Sequence, residues 1–90
     1  MRTIHKQILS ISYLKTSIWA PIVKVLSVKE QYGSLTCWYE IDDTIPEKNV
    51  DIFIFGTGKD MSELPPNARY LDSVLMYSGS LVLHAYCVGG

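Results

Sequence analysis

Two glycines and a lysine follow the clearest apolar run of the sequence. Gly56, Thr57, Gly58 and Lys59 come directly after Val50 to Phe55 (VDIFIF). Glycines allow backbone N–H groups to converge on an anion, and a neighbouring lysine adds positive charge. The glycines are too close together for a phosphate-binding P-loop, which also needs a serine or threonine after its lysine at the start of a helix. The segment predicts either a plain turn that ends a strand or a contact with a small anionic ligand.

Three further side chains have chemistry that suits ligand binding. His84 lies in an apolar strand-like segment, where an imidazole can exchange hydrogen bonds near neutral pH, or simply be a satisfied structural histidine. Arg69 is suited to meeting a phosphate, and Trp38 to stacking on a base or to covering a subunit interface. The candidate ligand-binding residues are therefore Trp38, Gly56, Thr57, Gly58, Lys59, Arg69 and His84.

No group of residues predicts catalysis or metal binding. The carboxylates Glu40, Asp42 and Asp43 are typical of a solvated turn at a strand end. No serine has a histidine at the spacing of a nucleophile elbow, and two histidines without nearby cysteine or carboxylate ligands are too few for a metal site. Cys37 and Cys87 lack metal-ligand spacing and are interpreted as core thiols. We expect a non-enzymatic protein without catalytic residues, metal or cofactor.

Length and composition place these residues in one small domain, residues 1–90. The chain is 48% hydrophobic and 19% charged, which argues against disorder. Its net charge is −1 and its lysines are scattered, so a duplex nucleic acid is not an expected partner. No apolar run is long enough to span a membrane, and the paucity of cysteine favours a reducing cytoplasm.

The elements that must position the candidate residues are strands. Ile22 to Asp42 is predicted to be a hairpin that turns at Tyr32-Gly33. Tyr13 to Pro21 is predicted to be a connector with Ile18 and Trp19 against the core, and Asp60 to Leu64 one helical turn. The predicted strands are Thr3–Ile11, Ile22–Glu30, Leu35–Asp42, Val50–Phe55, Arg69–Tyr77 and Ser80–Val88. The prediction is an all-β fold, a small antiparallel sheet curled into a half-barrel or sandwich of about six strands, with at most one short helical turn.

Two of the predicted strands are apolar on both faces. Simple alternation from Ile22 to Glu30 places Val23 and Val25 on one face and Ile22, Leu26 and Val28 on the other. The segment Val50 to Phe55 shows the same feature. Such strands lie in the middle of a sheet or are covered by a partner chain. We therefore expect the protein to associate with itself as a homo-oligomer.

The chain also resembles a family of short proteins encoded by tailed phages and prophages, a domain of unknown function. The resemblance covers Ile4 to Tyr86, and the sequence departs from the family pattern at Ser17 to Pro21 and in its C-terminal Cys-Val-Gly-Gly. It implies a phage accessory protein that acts inside the host cell, and it supplies no catalytic residues. The matching residues are Leu26-Ser27-Val28, Gln31, Gly33, Trp38, Phe53, Gly56-Thr57-Gly58, Tyr70, Val74, Gly79, Leu81-Val82 and His84.

Two functions remain open on the sequence. The first is a homo-oligomer that sequesters a small anionic ligand, such as a nucleotide signal of host immunity, without cleaving it. The second is a protein-interaction module that docks on a host or phage protein through a sheet edge. A hydrolase is disfavoured, because no nucleophile, base and orienting group are arranged together.

Overall fold

A computed structural model describes residues 1–90 and contains seven strands. Every paired strand is antiparallel to its neighbour, and there is no helix. The predicted all-β class is confirmed. No helix long and hydrophobic enough to cross a bilayer is present. The strands are β1 (Arg2–Ile8), β2 (Lys15–Ala20), β3 (Ile22–Gln31), β4 (Ser34–Asp42), β5 (Lys48–Gly56), β6 (Arg69–Met76) and β7 (Leu81–Val88).

The strands form two sheets with the core between them. The first sheet has the order β1-β4-β3 and the second the order β2-β5-β7-β6. Side chains from both sheets build one cluster of 16 buried residues. Leu35, Cys37 and Tyr39 of β4 face this cluster, as their alternation predicted, and Trp38 between them is only half-buried.

Strand β2 lies where the sequence predicted a connector. Residues Lys15 to Ala20 pair with Phe53 to Lys48 at the edge of the second sheet. Ile18 is 2% exposed, as predicted, whereas Trp19 is 65% exposed and does not contact the core. The alternation of apolar and polar residues in β2 is hard to detect, because Ile18 is its only large apolar side chain that faces inward. The predicted helical turn at Asp60 to Leu64 is a non-helical turn in which the Asp60 carboxylate accepts a bond from the Ser62 backbone N–H.

Two β-bulges give β3 a single buried face, which corrects the prediction that both faces are covered. Its register against β4 shifts between Ile22 and Lys24 and again between Val25 and Ser27. Each bulge adds a residue and returns the next apolar side chain to the inside. Ile22, Val25 and Val28 are consequently at most 1% exposed, while Val23 and Leu26 are about 40% exposed. Strand β3 is also an edge of its sheet and not a middle strand.

The free edge of β3 faces β6, and side chains join the two strands where a backbone ladder would otherwise lie. The Val28 backbone N–H donates to Asp72 Oδ2 (2.8 Å), and Lys29 Nζ donates to Asp72 Oδ1 (3.0 Å). Arg69 Nη2 donates to the Val25 carbonyl oxygen (3.1 Å). We call this junction the seam. It closes one side of the sandwich, so the edges β1 and β2 flank the open side.

The connection from β5 to β6 accounts for the second apolar face of β5. Both strands are antiparallel to β7, so they run parallel and residues 57–68 must cross the sheet. The inner face is occupied by the first sheet and the β6 edge by the seam, which leaves the outer face as the route. Phe53 and Phe55, on that outer face, are 7% and 3% exposed. Their burial within a single chain removes this strand as a reason to expect a homo-oligomer.

Candidate functional site

Thr57 and His84, both predicted ligand-binding residues, meet on the outer face of the second sheet. His84 of β7 pairs with Phe55 of β5, and the Thr57 backbone N–H bonds to the Val82 carbonyl just beyond that pair (3.3 Å). This register places Thr57 Oγ1 2.7 Å from His84 Nε2. The end of the glycine segment and the histidine therefore form one polar contact.

Two residues that the sequence did not single out extend this contact. Ser73 Oγ lies 2.7 Å from His84 Nδ1, and Tyr70 Oη lies 2.8 Å from Ser73 Oγ. A bulge between Tyr70 and Asp72 brings residues 70 and 73 onto the same face, although their spacing in a regular strand would separate them. We call Thr57, Tyr70, Ser73 and His84 the His84 cluster. No sequence signal marks Tyr70 or Ser73, because the bulge is visible only in the register.

The His84 cluster is a chain of hydrogen bonds between three hydroxyl groups and an imidazole. A neutral imidazole donates from one nitrogen and accepts at the other, so one of its two hydroxyl partners accepts and the other donates. The chain of bonds leaves a hydroxyl of Thr57 or Tyr70 at either end to bind a ligand. No carboxylate bonds to His84 to orient it or to stabilise an imidazolium, as a catalytic triad requires.

The remaining glycine-segment residues lie beside the cluster without forming a cavity. Lys59 N–H bonds to the Gly56 carbonyl (3.1 Å), closing a turn in which Gly58 has a φ of 84°. The Lys59 side chain is exposed and forms no ion pair. The glycine segment thus presents one unpaired ammonium group, that of Lys59, on an open surface.

Arg69 and Trp38 lie away from the His84 cluster. Arg69 begins β6 and pairs with Cys87, at the other end of β7, where its guanidinium donates to the Val25 and Gly90 carbonyls (3.1 and 2.8 Å). Trp38 lies on β4 in the other sheet, next to Lys6 and Ser27. The predicted ligand-binding residues therefore occupy three separate places in the fold.

The single cavity of the molecule lies elsewhere, at the end where the β3–β4 turn approaches the end of β6. It has a volume of about 190 Å³, and six of its eight lining residues are hydrophobic. We call it the turn-end cavity. The sequence predicted none of its residues as a site, because they come from three segments that only the tertiary fold brings together. The lining residues are Ile8, Leu9, Ile11, Gly33, Ser34, Leu35, Met76 and Tyr77.

Two tyrosines in strained backbone conformations belong to this end of the molecule: Tyr77 lines the cavity, and Tyr32 precedes the lining residue Gly33. Tyr32 (φ 52°) and Gly33 (φ 80°) form the predicted tight turn between β3 and β4, and Tyr77 (φ 53°) opens the β6–β7 turn. The side chains of Tyr32 and Tyr77 are 94% and 58% exposed, so packing does not offset the energetic cost of the backbone conformation. Asparagine or glycine suits a positive φ better, and a bulky residue there costs about 1 kcal/mol or more.

The two cysteines are buried free thiols, as predicted. Burial raises the pKa of Cys37 to about 12, and the nearby Cys87 adds to that shift. Burial also raises the pKa of Cys87, partly offset by the Arg69 guanidinium. Both remain protonated at neutral pH, so neither is a nucleophile.

Comparison with known proteins gives one match. A family model described as a domain of unknown function (DUF7352) covers residues 1–89. No curated protein and no solved structure matches the chain. The description of the family names no ligand or activity.

Proposed function

The chain belongs to the DUF7352 family of domains of unknown function, and we propose that it is a non-enzymatic protein-interaction module that binds an apolar side chain of a partner protein in the turn-end cavity. The observation that carries the proposal is the pairing of this cavity with exposed tyrosines at Tyr32 and Tyr77. In keeping with the resemblance to phage proteins, we propose a partner in the bacterial host cell or in the phage itself.

The size of the cavity favours a side chain over a drug-sized molecule. Small-molecule sites usually measure roughly 300–1,000 Å³, whereas this cavity measures about 190 Å³. An apolar cavity of about 150 Å³ holds a benzene ring. One aromatic or branched aliphatic side chain of a partner therefore fits, with Ile8 and Ile11, 65% and 41% exposed, at the mouth.

The tyrosines supply the surface around that anchor. Tyrosine is enriched at protein–protein interfaces, because it buries a large area while losing little side-chain entropy. Strained residues that packing does not stabilise are concentrated at binding sites. Tyr32 is such a residue, since almost all of its side chain is in solvent.

Affinity capture with matched variants tests the proposed function. Ile11→Trp adds an indole at the mouth of the cavity, and Ile45→Trp makes the same change at a residue of similar exposure (38%) outside it. We expect bacterial lysate proteins retained by the wild type to be retained by Ile45→Trp and lost by Ile11→Trp. Tyr32→Asn should weaken capture while stabilising the fold by about 1 kcal/mol. Identical sets of captured proteins in all variants would contradict the proposal.

A second candidate function is a homo-oligomer that sequesters a small anionic ligand, such as a nucleotide immune signal, in the host cytoplasm. It is favoured by the His84 cluster, whose terminal hydroxyls lie in the same outer region as the unpaired Lys59. Hydroxyl donors and a free ammonium group are the partners that a phosphate uses.

Thermal unfolding with a panel of nucleotides tests this candidate. A ligand present at 100 times its Kd stabilises the fold by about 2.7 kcal/mol, which raises the Tm of a domain of this size by roughly 10 °C or more. We expect Lys59→Ala to abolish the shift and Lys48→Ala, an equally exposed lysine at the start of β5, to preserve it. A panel with no shift would eliminate anion sequestration and leave the interaction module unaffected.

A further inference from the structure

Strand β1 is a regular edge whose outward backbone groups have no partner. The Leu9 backbone N–H donates to the Leu35 carbonyl (2.8 Å), and the Met1 carbonyl accepts from the Asp43 N–H (3.2 Å), so odd-numbered residues of β1 bond to β4. The register with β4 is unbroken over all seven residues. In an antiparallel strand the alternate residues point their N–H and C=O groups the other way. The residues with outward groups are Arg2, Ile4, Lys6 and Ile8.

We propose that β1 pairs with β1 of a second copy of this chain, antiparallel, with His5 on the two-fold axis. The inference goes beyond the partner of the turn-end cavity and involves the outward edge of β1, which shares only Ile8 with the lining of that cavity. It joins two three-stranded sheets into one six-stranded sheet with the order β3-β4-β1-β1-β4-β3.

Charge selects this register. Residues whose backbone N–H and C=O groups point outward must pair with residues of the same kind in the second copy. This leaves three registers that use most of the strand. One places Lys6 opposite Lys6 and another places Arg2 opposite Lys6, and like charges directly opposite are destabilising. The register centred on His5 places Lys6 opposite Ile4 and Arg2 opposite Ile8, and it alone uses all seven residues.

The same register covers the apolar side chains of β1. Ile4 and Ile8 are 62% and 65% exposed in the single chain. In the pair, the alkyl stem of Lys6 from one copy lies opposite Ile4 of the other, and that of Arg2 opposite Ile8, while the charged ends stay bonded to Gln31 and Glu40 of their own chain. A lysine in an edge strand usually discourages pairing. Here the register turns the aliphatic part of Lys6 into a contact, and its ammonium group keeps its hydrogen bond to Gln31 Oε1 of the same chain (2.6 Å).

The first test is a cysteine cross-link at the axis. His5 would form a non-hydrogen-bonded pair with itself, with Cα atoms about 4.5 Å apart, within the range of a disulfide. We expect His5→Cys to form a disulfide-linked dimer in a glutathione redox buffer, seen by non-reducing electrophoresis. Thr3→Cys and Gln7→Cys should each form no disulfide-linked dimer alone and should cross-link when mixed, because residue 3 faces residue 7 of the other copy. The buried Cys37 and Cys87 do not compete.

The second test needs no cross-link. Lys6→Pro removes an outward N–H and leaves the β4 ladder intact, a position where edge strands tolerate proline. We expect light scattering at high micromolar concentration to give twice the chain mass of 10.2 kDa for the wild type and the single mass for Lys6→Pro, with unchanged circular dichroism. A monomeric wild type, or equal cross-linking at positions 3, 5 and 7 alone, would overturn the proposal. Capture of a lysate partner through the cavity would survive either result.

Discussion

Replacing Val25 with aspartate is expected to destabilise the protein strongly. Val25 is 0% exposed and faces the core between the two bulges of β3. A carboxylate there would lose its water without gaining a cationic partner, which costs about 4 kcal/mol or more. Domains of this size are stable by only about 5–13 kcal/mol, so a loss of this size removes roughly a third of that stability or more. Urea unfolding followed by tryptophan fluorescence measures the loss.

The matched control is the neighbouring Leu26→Asp. Regular alternation predicts that Leu26 belongs with Ile22 and Val28, whereas the bulges leave it 41% exposed. We therefore expect Leu26→Asp to cost less than about 1 kcal/mol, the range of surface substitutions that remove some apolar contact. Equal losses from both variants would mean that the bulges do not set the buried face of β3.

The second large effect is expected at the seam. Asp72→Ala removes the acceptor of the Val28 backbone N–H and leaves that donor without a partner, which costs about 2 kcal/mol. For a domain of this length the Tm falls by roughly 10 °C, measured by calorimetry. Asp72→Asn keeps one acceptor oxygen and should recover part of the loss.

Lys29→Ala separates the backbone bond from the ion pair. Lys29 Nζ bonds to the same carboxylate, but its side chain is 59% exposed, and exposed ion pairs contribute only about 0–1 kcal/mol. We expect Lys29→Ala to change the Tm by a few degrees at most. If it matched Asp72→Ala, the seam would depend on the ion pair and not on the Val28 N–H.

Most of the fold follows from patterns within short stretches of sequence. Alternating residues in β4, β5 and β7 determine which side chains face inward, and Tyr32-Gly33 marks the turn of the central hairpin. These patterns predict the structure correctly because each of these strands is regular and its pattern lies within one short segment. The prediction of a positive φ at this turn is confirmed, although tyrosine occupies a conformation that asparagine or glycine adopts more easily.

Irregular strands account for the errors in the predicted fold. The bulges in β3 convert a period of two into a spacing of three between Ile22, Val25 and Val28, so alternation places Val25 and Leu26 on the wrong faces of the strand. Strand β2 was missed because its large residue, Trp19, points outward. Neither the bulges of β3 nor the pairing of β2 can be predicted from a short stretch of sequence, since both depend on which strand lies alongside.

The candidate sites depend even more on tertiary pairing. Thr57 and His84 were predicted from their residue types, and the structure brings them together. Tyr70 joins them only through a bulge in β6, and the turn-end cavity is assembled from β1, the β3–β4 turn and the end of β6. Sequence patterns identify polar residues capable of binding, but not an apolar hollow between segments that are distant in the chain.

The seam has a consequence for how the molecule moves. Backbone ladders hold each sheet together, whereas β3 and β6 are joined by the side chains of Asp72 and Arg69. A thermal fluctuation that breaks these few bonds exposes the facing edges of β3 and β6 and leaves the backbone ladders of both sheets intact. Local opening of this kind would admit water to the interior on a shorter timescale than complete unfolding. The seam would be the first part of the protein to open.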